Sequence, residues 1–210
     1  MRFLGHARWP KNPTYCTGCF SMLTRNHGGA EVECSLLFAD VRGSTSLAES
    51  TSPREFNRLM GRFYDTATDV LVDHDGVIDK FVGDEIIGIF VPSMATSQHA
   101  ARAVHAARTL LTRTGFGTEA GPWVPIGIGV STGVAYVGSI GDGADTEMTA
   151  MGDVVNVAAR LSSVAGPGEI LVTSAASRAA GLPADLPRRA LELKGKSQVT
   201  EVAVITAADT

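Results

Sequence analysis

Hydrophobic and polar positions change period several times along this chain, and each change marks an element. Residues 34–41 form a short, nearly continuous apolar run, the pattern of a strand covered on both faces. From 44–49 and again over 53–72 the period lengthens. Phe56, Leu59, Met60, Phe63 and Ala67 recur at three- and four-residue spacing, lining one helix face, and Pro53 suits the first turn. His74-Asp75-Gly76 ends that helix. Val77–Val82 and 86–91 read as two strands joined at Gly83-Asp84, a hairpin signal with the aspartate at its tip. The alanine-rich, breaker-free stretch 95–113 predicts another helix. Over 125–136, Ile126, Ile128 and Val130 alternate with glycine, as in a strand whose other side is approached closely by backbone. A paired strand is expected at 137–140, a polar loop at 142–147, an edge strand at 148–151, and a helix at 152–165 closed by Gly166-Pro167-Gly168. A strand at 170–173, a short helix at 175–180 and strands at 188–193 and 199–205 complete the order. The reading is α+β: a ferredoxin-like βαββαβ core with additional C-terminal strands and helices.

Residues 1–30 differ from this. Trp9-Pro10, Asn12-Pro13 and His27-Gly28-Gly29 are turn and breaker signals without periodicity, so they read as an N-terminal arm before one domain at 31–210. Within the arm, Cys16 and Cys19 have the spacing of half a zinc site, with His6, His27 and Cys34 as completing ligands; two free or buried thiols are the alternative. An odd count of three cysteines fits a reducing compartment, and with no apolar run of membrane-spanning length the chain is expected to be soluble and cytoplasmic. A formal charge of −4 without a Lys/Arg stripe argues against nucleic acid as the main partner. A nucleotide needs only a few placed cations.

Chemistry concentrates in three segments. Phe38-Ala39-Asp40-Val41-Arg42-Gly43-Ser44-Thr45 puts a carboxylate at a strand end beside a turn with glycine and hydroxyls, a setting for a phosphate and its metal ion or for an ordinary helix cap. Lys80-Phe81-Val82-Gly83-Asp84-Glu85 offers a second turn aspartate. Two such carboxylates on neighbouring strands repel unless a cation lies between them, so their pairing predicts a divalent ion, with Mg²⁺ expected. Glu85 is read as pointing the opposite way from Asp84 and is not counted as a ligand. In Met151-Gly152-Asp153-Val154-Val155-Asn156-Val157-Ala158-Ala159-Arg160, Asn156 and Arg160 are four apart and share a helix face.

With these segments together, the chain from about residue 33 to 205 resembles the catalytic domain of the class III nucleotidyl cyclases, the adenylate and guanylate cyclase family. The resemblance implies that Asp40, Asp84 and the Val41 carbonyl hold two Mg²⁺ or Mn²⁺ ions per site. One ion activates the ribose 3′-hydroxyl and the other holds the triphosphate. It implies further that Asn156 orients the ribose, that Arg160 stabilises the transition state at the α-phosphate, and that Lys194, or the nearby Lys196, holds the terminal phosphates. Gly43, Ser44 and Thr45 fall at the phosphate-facing turn. Lys80 and Thr149 fall at the base-selecting positions. A lysine only donates, matching adenine N1, and a hydroxyl can accept from the exocyclic amine. Guanylate cyclases of this family usually place Glu and Cys there, so the chain looks like a bacterial adenylate cyclase subgroup with threonine. It departs from the family pattern in having Val134 where some members carry a second arginine, and Ser44 at a usual Phe position.

The expected activity is therefore conversion of ATP to 3′,5′-cyclic AMP and pyrophosphate. In the family the metal aspartates come from one protomer and the base, ribose and phosphate residues from the other. A chain carrying both sets implies a homodimer with two shared sites. The rival expectations are a nucleotide-binding regulatory module without turnover and, from Val82-Gly83-Asp84-Glu85, a diguanylate cyclase or polymerase-like palm domain.

Overall fold

The computed structural model describes residues 8–9, 12–16, 29–140, 147–196 and 198–209. β1 (Arg8–Trp9) and β2 (Asn12–Cys16) pair with each other in a hairpin separate from the main sheet. The domain proper then runs β3 (Gly29–Val41), α1 (Ser44–Ser50), α2 (Pro53–Asp73), β4 (Val77–Val82), β5 (Glu85–Phe90), α3 (Pro92–Ala95) and, after a 3₁₀ turn, α4 (His99–Arg113). It continues with β6 (Ile126–Ile140), β7 (Glu147–Met151), α5 (Asp153–Val164), β8 (Glu169–Thr173), α6 (Ser174–Ala179), β9 (Arg188–Leu191) and β10 (Thr200–Thr206). The sheet order is β4-β5-β3-β6-β8-β10-β9, with β7 on the far part of β6. The β3-α2-β4-β5-α4-β6 portion is the expected βαββαβ core. Only the β6–β8 pairing is parallel, among the described residues, and β7 and α5 make its crossover.

Residues of β3 alternate between two layers, which explains its unbroken apolar run. Leu37, Ala39 and Val41 pack with Phe63 and Leu71 of α2 and Leu110 and Leu111 of α4. Leu36 and Phe38 join Ile87 and Ile89 of β5 beneath Val154 and Ala158 of α5 on the opposite face. Phe63 and Leu71 are both 0% exposed, and each such side chain contributes about 2 kcal/mol by burial. At the start of α2, the Ser52 N–H donates to the Glu55 carboxylate at 3.0 Å while the Glu55 N–H donates to the Ser52 hydroxyl at 3.3 Å, a capping box.

Two strand boundaries differ from the sequence expectation. β3 begins at Gly29 and β6 runs unbroken to Ile140, because the two pair along their whole length from Val41↔Ile126 to Gly29↔Gly138. Backbone hydrogen bonds carry this ribbon past the end of the core, where an apolar pattern is no longer required. The separate strand expected at 137–140 is the end of β6. The loop expected at 142–147 lies outside the described residues up to 146, and its last residue, Glu147, opens β7. The side chains of Cys16, Cys19, His6 and His27 lie outside the described ones. Cys34 is a buried free thiol; burial above all pushes its pKa up to about 11, so it stays protonated.

The glycines of β6 admit α5 closely, as the alternation suggested. A β-carbon at Gly129 would lie 2.3 Å from the Ala158 carbonyl oxygen, and one at Gly127 would lie 2.7 Å from that of Ala165. The helix that carries Asn156 and Arg160 is thereby seated directly on the strand, at a depth no larger residue permits.

Candidate active site

Three groups of side chains occupy distinct places on this frame. At the end of β3, Asp40 stands opposite Glu85 in the ladder with β5, so both project from the face that α5 covers. The Val41 N–H donates to the Asp84 carbonyl at 3.2 Å, tying the β4–β5 turn to the end of β3. Asp40 and Asp84 are brought to one corner, as the spacing implied. Tyr64 of α2 holds that turn: its hydroxyl donates to the Gly83 carbonyl, and its ring lies 4.6 Å from that of Phe81, centroid to centroid.

Arg42 and Glu85 belong to the same corner and were not read as part of it. The Arg42 guanidinium is ion-paired with Asp40 and donates to the Ser163 carbonyl at 2.8 Å. Burial lowers its pKa, against the pull of Asp84 and Glu85. Glu85 accepts a hydrogen bond from the Ser162 hydroxyl at 2.8 Å. Burial first, and then the charge of Asp84, raise its pKa. Glu85 shares a face with Asp40 and feels the charge of Asp84, which strand alternation within one hairpin could not reveal. Arg42 was visible as a cation two residues from Asp40. Its role follows from α5 passing close enough to anchor it.

Among the described residues, no group of three or more His, Cys, Asp or Glu side chains is arranged to hold a metal ion alone. Two carboxylates and a backbone carbonyl fit Mg²⁺ nevertheless, since that ion is commonly held by one or two carboxylates and completes its shell with water and substrate phosphate oxygens.

The second group lies on α5. Asn156 is exposed and Arg160 half-buried, one turn apart on a common face. Arg160 lies against the turn at 194–196, where a β-carbon on Gly195 would be 3.3 Å from Nη2. Lys194 is exposed, whereas the Lys196 ammonium pairs with Asp153 at the first turn of α5. Arg160 and Ser162 are two residues apart, about 200° around the helix. Ser162 points into the sheet at Glu85 and Arg160 points out at Gly195, so within one chain α5 directs Arg160 away from the carboxylate corner. At the start of α1, Gly43 takes a left-handed conformation with φ 69° and no side chain caps the helix. Ser44 is half-buried and Thr45 exposed.

The third group forms around Lys80 and Thr149. In the β4–β5 ladder Ile78 pairs with Gly88 and Lys80 with Ile87, leaving Asp79 as an extra residue at a bulge. Lys80 therefore faces the same side as Ile87, the side of α5, and the bulge turns Asp79 to that side as well. The Thr149 hydroxyl donates to Asp79 Oδ2 at 2.9 Å, and Lys80 Nζ lies 3.8 Å from the same oxygen. Asp79 is 4% exposed and Thr149 8%. The structure thus brings Lys80 and Thr149 together, and adds an aspartate that the sequence did not single out.

This architecture, with an acidic strand-end corner and an Asn/Arg helix seated on β6, is that of a class III nucleotidyl cyclase catalytic domain. The family model of the adenylate and guanylate cyclase catalytic domain matches residues 29–206, and the chain belongs to that family. Adenylate cyclase 1 of Rhizobium meliloti is 32% identical over 137 residues, which make up 63% of this chain and 21% of that protein. The chain spans only about a fifth to a third of the length of the curated relatives it matches. In solved structures, the guanylyl cyclase Cya2 superposes with a TM-score of 0.74 at 31% identity, covering 84% of this chain and 93% of Cya2. The adenylyl cyclase CyaB of P. aeruginosa superposes with a TM-score of 0.73 at 25% identity, covering 84% of this chain and 95% of CyaB. Both nucleotide specificities occur among the neighbours. The choice between them rests on residues at the site.

Proposed function

We propose that this domain is an adenylate cyclase that converts ATP to 3′,5′-cyclic AMP and pyrophosphate at sites shared between two copies of the chain. The observation that carries this reading is the opposed direction of Ser162 and Arg160 on α5. One chain presents a carboxylate corner and, facing elsewhere, an Asn/Arg/Lys surface, so a second copy is needed to close the two on one triphosphate. Phe81 of β4, Val134 of β6 and Met151 of β7 are large apolar residues 45–60% exposed. A partner copy covering them would make a symmetric homodimer.

In the assembled site Asp40, Asp84 and the Val41 carbonyl hold two Mg²⁺ or Mn²⁺ ions, whose chemistry is to lower the pKa of the ribose 3′-hydroxyl and absorb charge on the phosphates. Asn156 fixes the ribose so that its 3′-oxygen is in line with the α-phosphorus; orientation of an intramolecular attack is the larger part of the task. Arg160 offers planar donors to the α-phosphoryl oxygens as charge develops there. Lys194, exposed and clear of the Asp153 pair that occupies Lys196, holds the terminal phosphates with the Gly43-Ser44-Thr45 turn. Lys80 and Thr149 read the base as adenine. A cytoplasmic location, with ATP and Mg²⁺ at hand, goes with this chemistry; no helix among the described residues is long and apolar enough to cross a membrane.

The test is assay of the purified protein with ATP or GTP and either metal. Cyclic AMP from ATP is expected. No product with either nucleotide at high protein concentration overturns the proposal, and cyclic GTP-derived product in excess of cyclic AMP replaces it with the guanylate reading that the likeness to Cya2 favours. Tight ATP binding without turnover, unchanged by Asp40→Ala, would identify a silent regulatory module instead.

A further inference from the structure

The third group at the site holds more than the two base-reading residues. A threonine hydroxyl is ambiguous, able to donate or accept, and on its own it distinguishes adenine from guanine poorly. Adenine presents an acceptor at N1 and a donor amine at C6; guanine presents a donor at N1 and an acceptor at O6. A free hydroxyl could turn its proton toward O6 and serve guanine as well.

The surroundings of Thr149 remove that ambiguity. Its hydroxyl proton is directed at Asp79 Oδ2, 2.9 Å away, and a carboxylate accepts without donating. Only the lone pairs of the Thr149 oxygen remain for a third group. Both side chains are more than nine-tenths buried, so water competes little for the bond. The same carboxylate oxygen lies 3.8 Å from Lys80 Nζ, which places the donor of the pair beside the acceptor. The bulge between Ile78 and Lys80 makes this possible, because it turns two consecutive side chains of β4 to one face.

Building on the adenine reading above, we infer that Asp79 is a positioning residue for nucleotide choice: it fixes Thr149 as a hydrogen-bond acceptor and Lys80 as its neighbouring donor, a pattern complementary to adenine and mismatched to guanine. Asp79 touches neither base nor phosphate in this account. It acts through the orientation of the hydroxyl proton.

The experiment compares kcat/KM for ATP and GTP, and displacement of a fluorescent nucleotide by each, in wild type, Asp79→Asn, Thr149→Val and the double variant, with thermal melting to confirm that each is folded. An asparagine can donate to or accept from Thr149, so the hydroxyl regains both roles. The ATP-over-GTP preference of Asp79→Asn should fall about tenfold, the loss of one charge-assisted orientation. A merely structural role would weaken both nucleotides alike and leave the ratio in place, which would overturn the inference. In the Thr149→Val background, Asp79→Asn should leave the ratio unmoved; a further fall there would also overturn it, since Asp79 would then act directly.

A measurement on wild type needs no variant to fold. Purine riboside triphosphate lacks the exocyclic amine and should bind about tenfold more weakly than ATP. Equal binding would show that Thr149 does not accept from the amine. A wild type that prefers ATP while either of these tests fails leaves the adenylate cyclase reading standing and sinks the role of Asp79; a wild type that prefers GTP sinks both.

Discussion

The carboxylate corner lies just past the end of β4 and the group proposed to read the base lies midway along that strand, yet they are built on different principles. At the corner, Asp40, Asp84 and Glu85 gather negative charge that Arg42 only partly balances. Around Lys80 and Thr149, one buried carboxylate meets a neutral hydroxyl and a nearby ammonium through the same oxygen. The first arrangement is suited to taking up cations with the substrate. The second is suited to presenting a fixed pattern of donors and acceptors. A site that needs charge can leave its groups partly open to solvent, whereas one that reads a base needs its protons directed, and directing them is helped by burial.

Changes at the corner should bear on chemistry most heavily. Asp40→Ala is expected to lower cyclase activity by roughly 10³-fold or more, since under the proposed mechanism it removes a ligand for the ions that would neutralise the transition state. Mixing it with equally inactive Arg160→Ala should restore activity, because one site of the heterodimer keeps both intact halves; a mixture no more active than its parts would break the comparison by placing both groups in one protomer's site.

The frame between the two regions gives the next largest effect. Gly129→Ala drives a β-carbon into the Ala158 carbonyl, 2.3 Å away, and should cost about 3 kcal/mol through displacement of α5, read as a fall of roughly 6–12 °C in melting temperature. An unshifted melt would mean that α5 is not seated as tightly as this.

Arg42→Ala sharpens the contrast in charge. Without its guanidinium, Asp40, Asp84 and Glu85 face one another, and stability should fall by about 2 kcal/mol, or roughly 4–8 °C. Mg²⁺ or Mn²⁺ should recover a larger part of that loss than it adds to wild type. A melt insensitive to metal in the variant would count against the corner as a cation site.

A change remote from both regions should do least. Glu169 on β8 accepts two hydrogen bonds from Arg189 on β9, at 3.0 and 2.6 Å. Those bonds, chiefly, hold its pKa below the ordinary value of 4.5. A lowered carboxylate pKa stabilises the fold above the unfolded-state value and loses that contribution as pH falls through the folded one. Arg189→Leu should therefore lower stability by no more than about 1 kcal/mol at neutral pH, this being a partly exposed and screened pair. The gap to wild type should close as pH drops below 4.5. Nucleotide preference and metal response should not move; if they do, the two regions are coupled through the sheet.

Much of the site is legible in the chain because its parts are local. Asp40 ends a run that reads as a buried strand, Asp84 sits at a glycine turn, and Asn156 and Arg160 share a face of an α-helix. Glu85 and Asp79 are not legible for the same reason turned round. Alternation assigns Glu85 a direction relative to Asp84, while its pairing with Asp40 depends on the register between β5 and β3. Alternation would put Asp79 and Lys80 on opposite faces, and a single extra residue in β4 cancels it.

The sequence by itself determined most elements of the domain and their order, the two-layer burial of β3 and the family, since periodicity, turn residues and motif spacing act over a few residues each. Tertiary structure alone decided which of those pieces meet. Thr149 reaches Asp79 across 70 residues, Arg42 reaches Ser163 across 121, and α5 turns Arg160 away from Asp40. Such contacts follow from strand register, from the depth to which glycine admits a helix, and from one bulge. Those are properties of the assembled sheet, fixed by how the whole core packs and by no short stretch of residues.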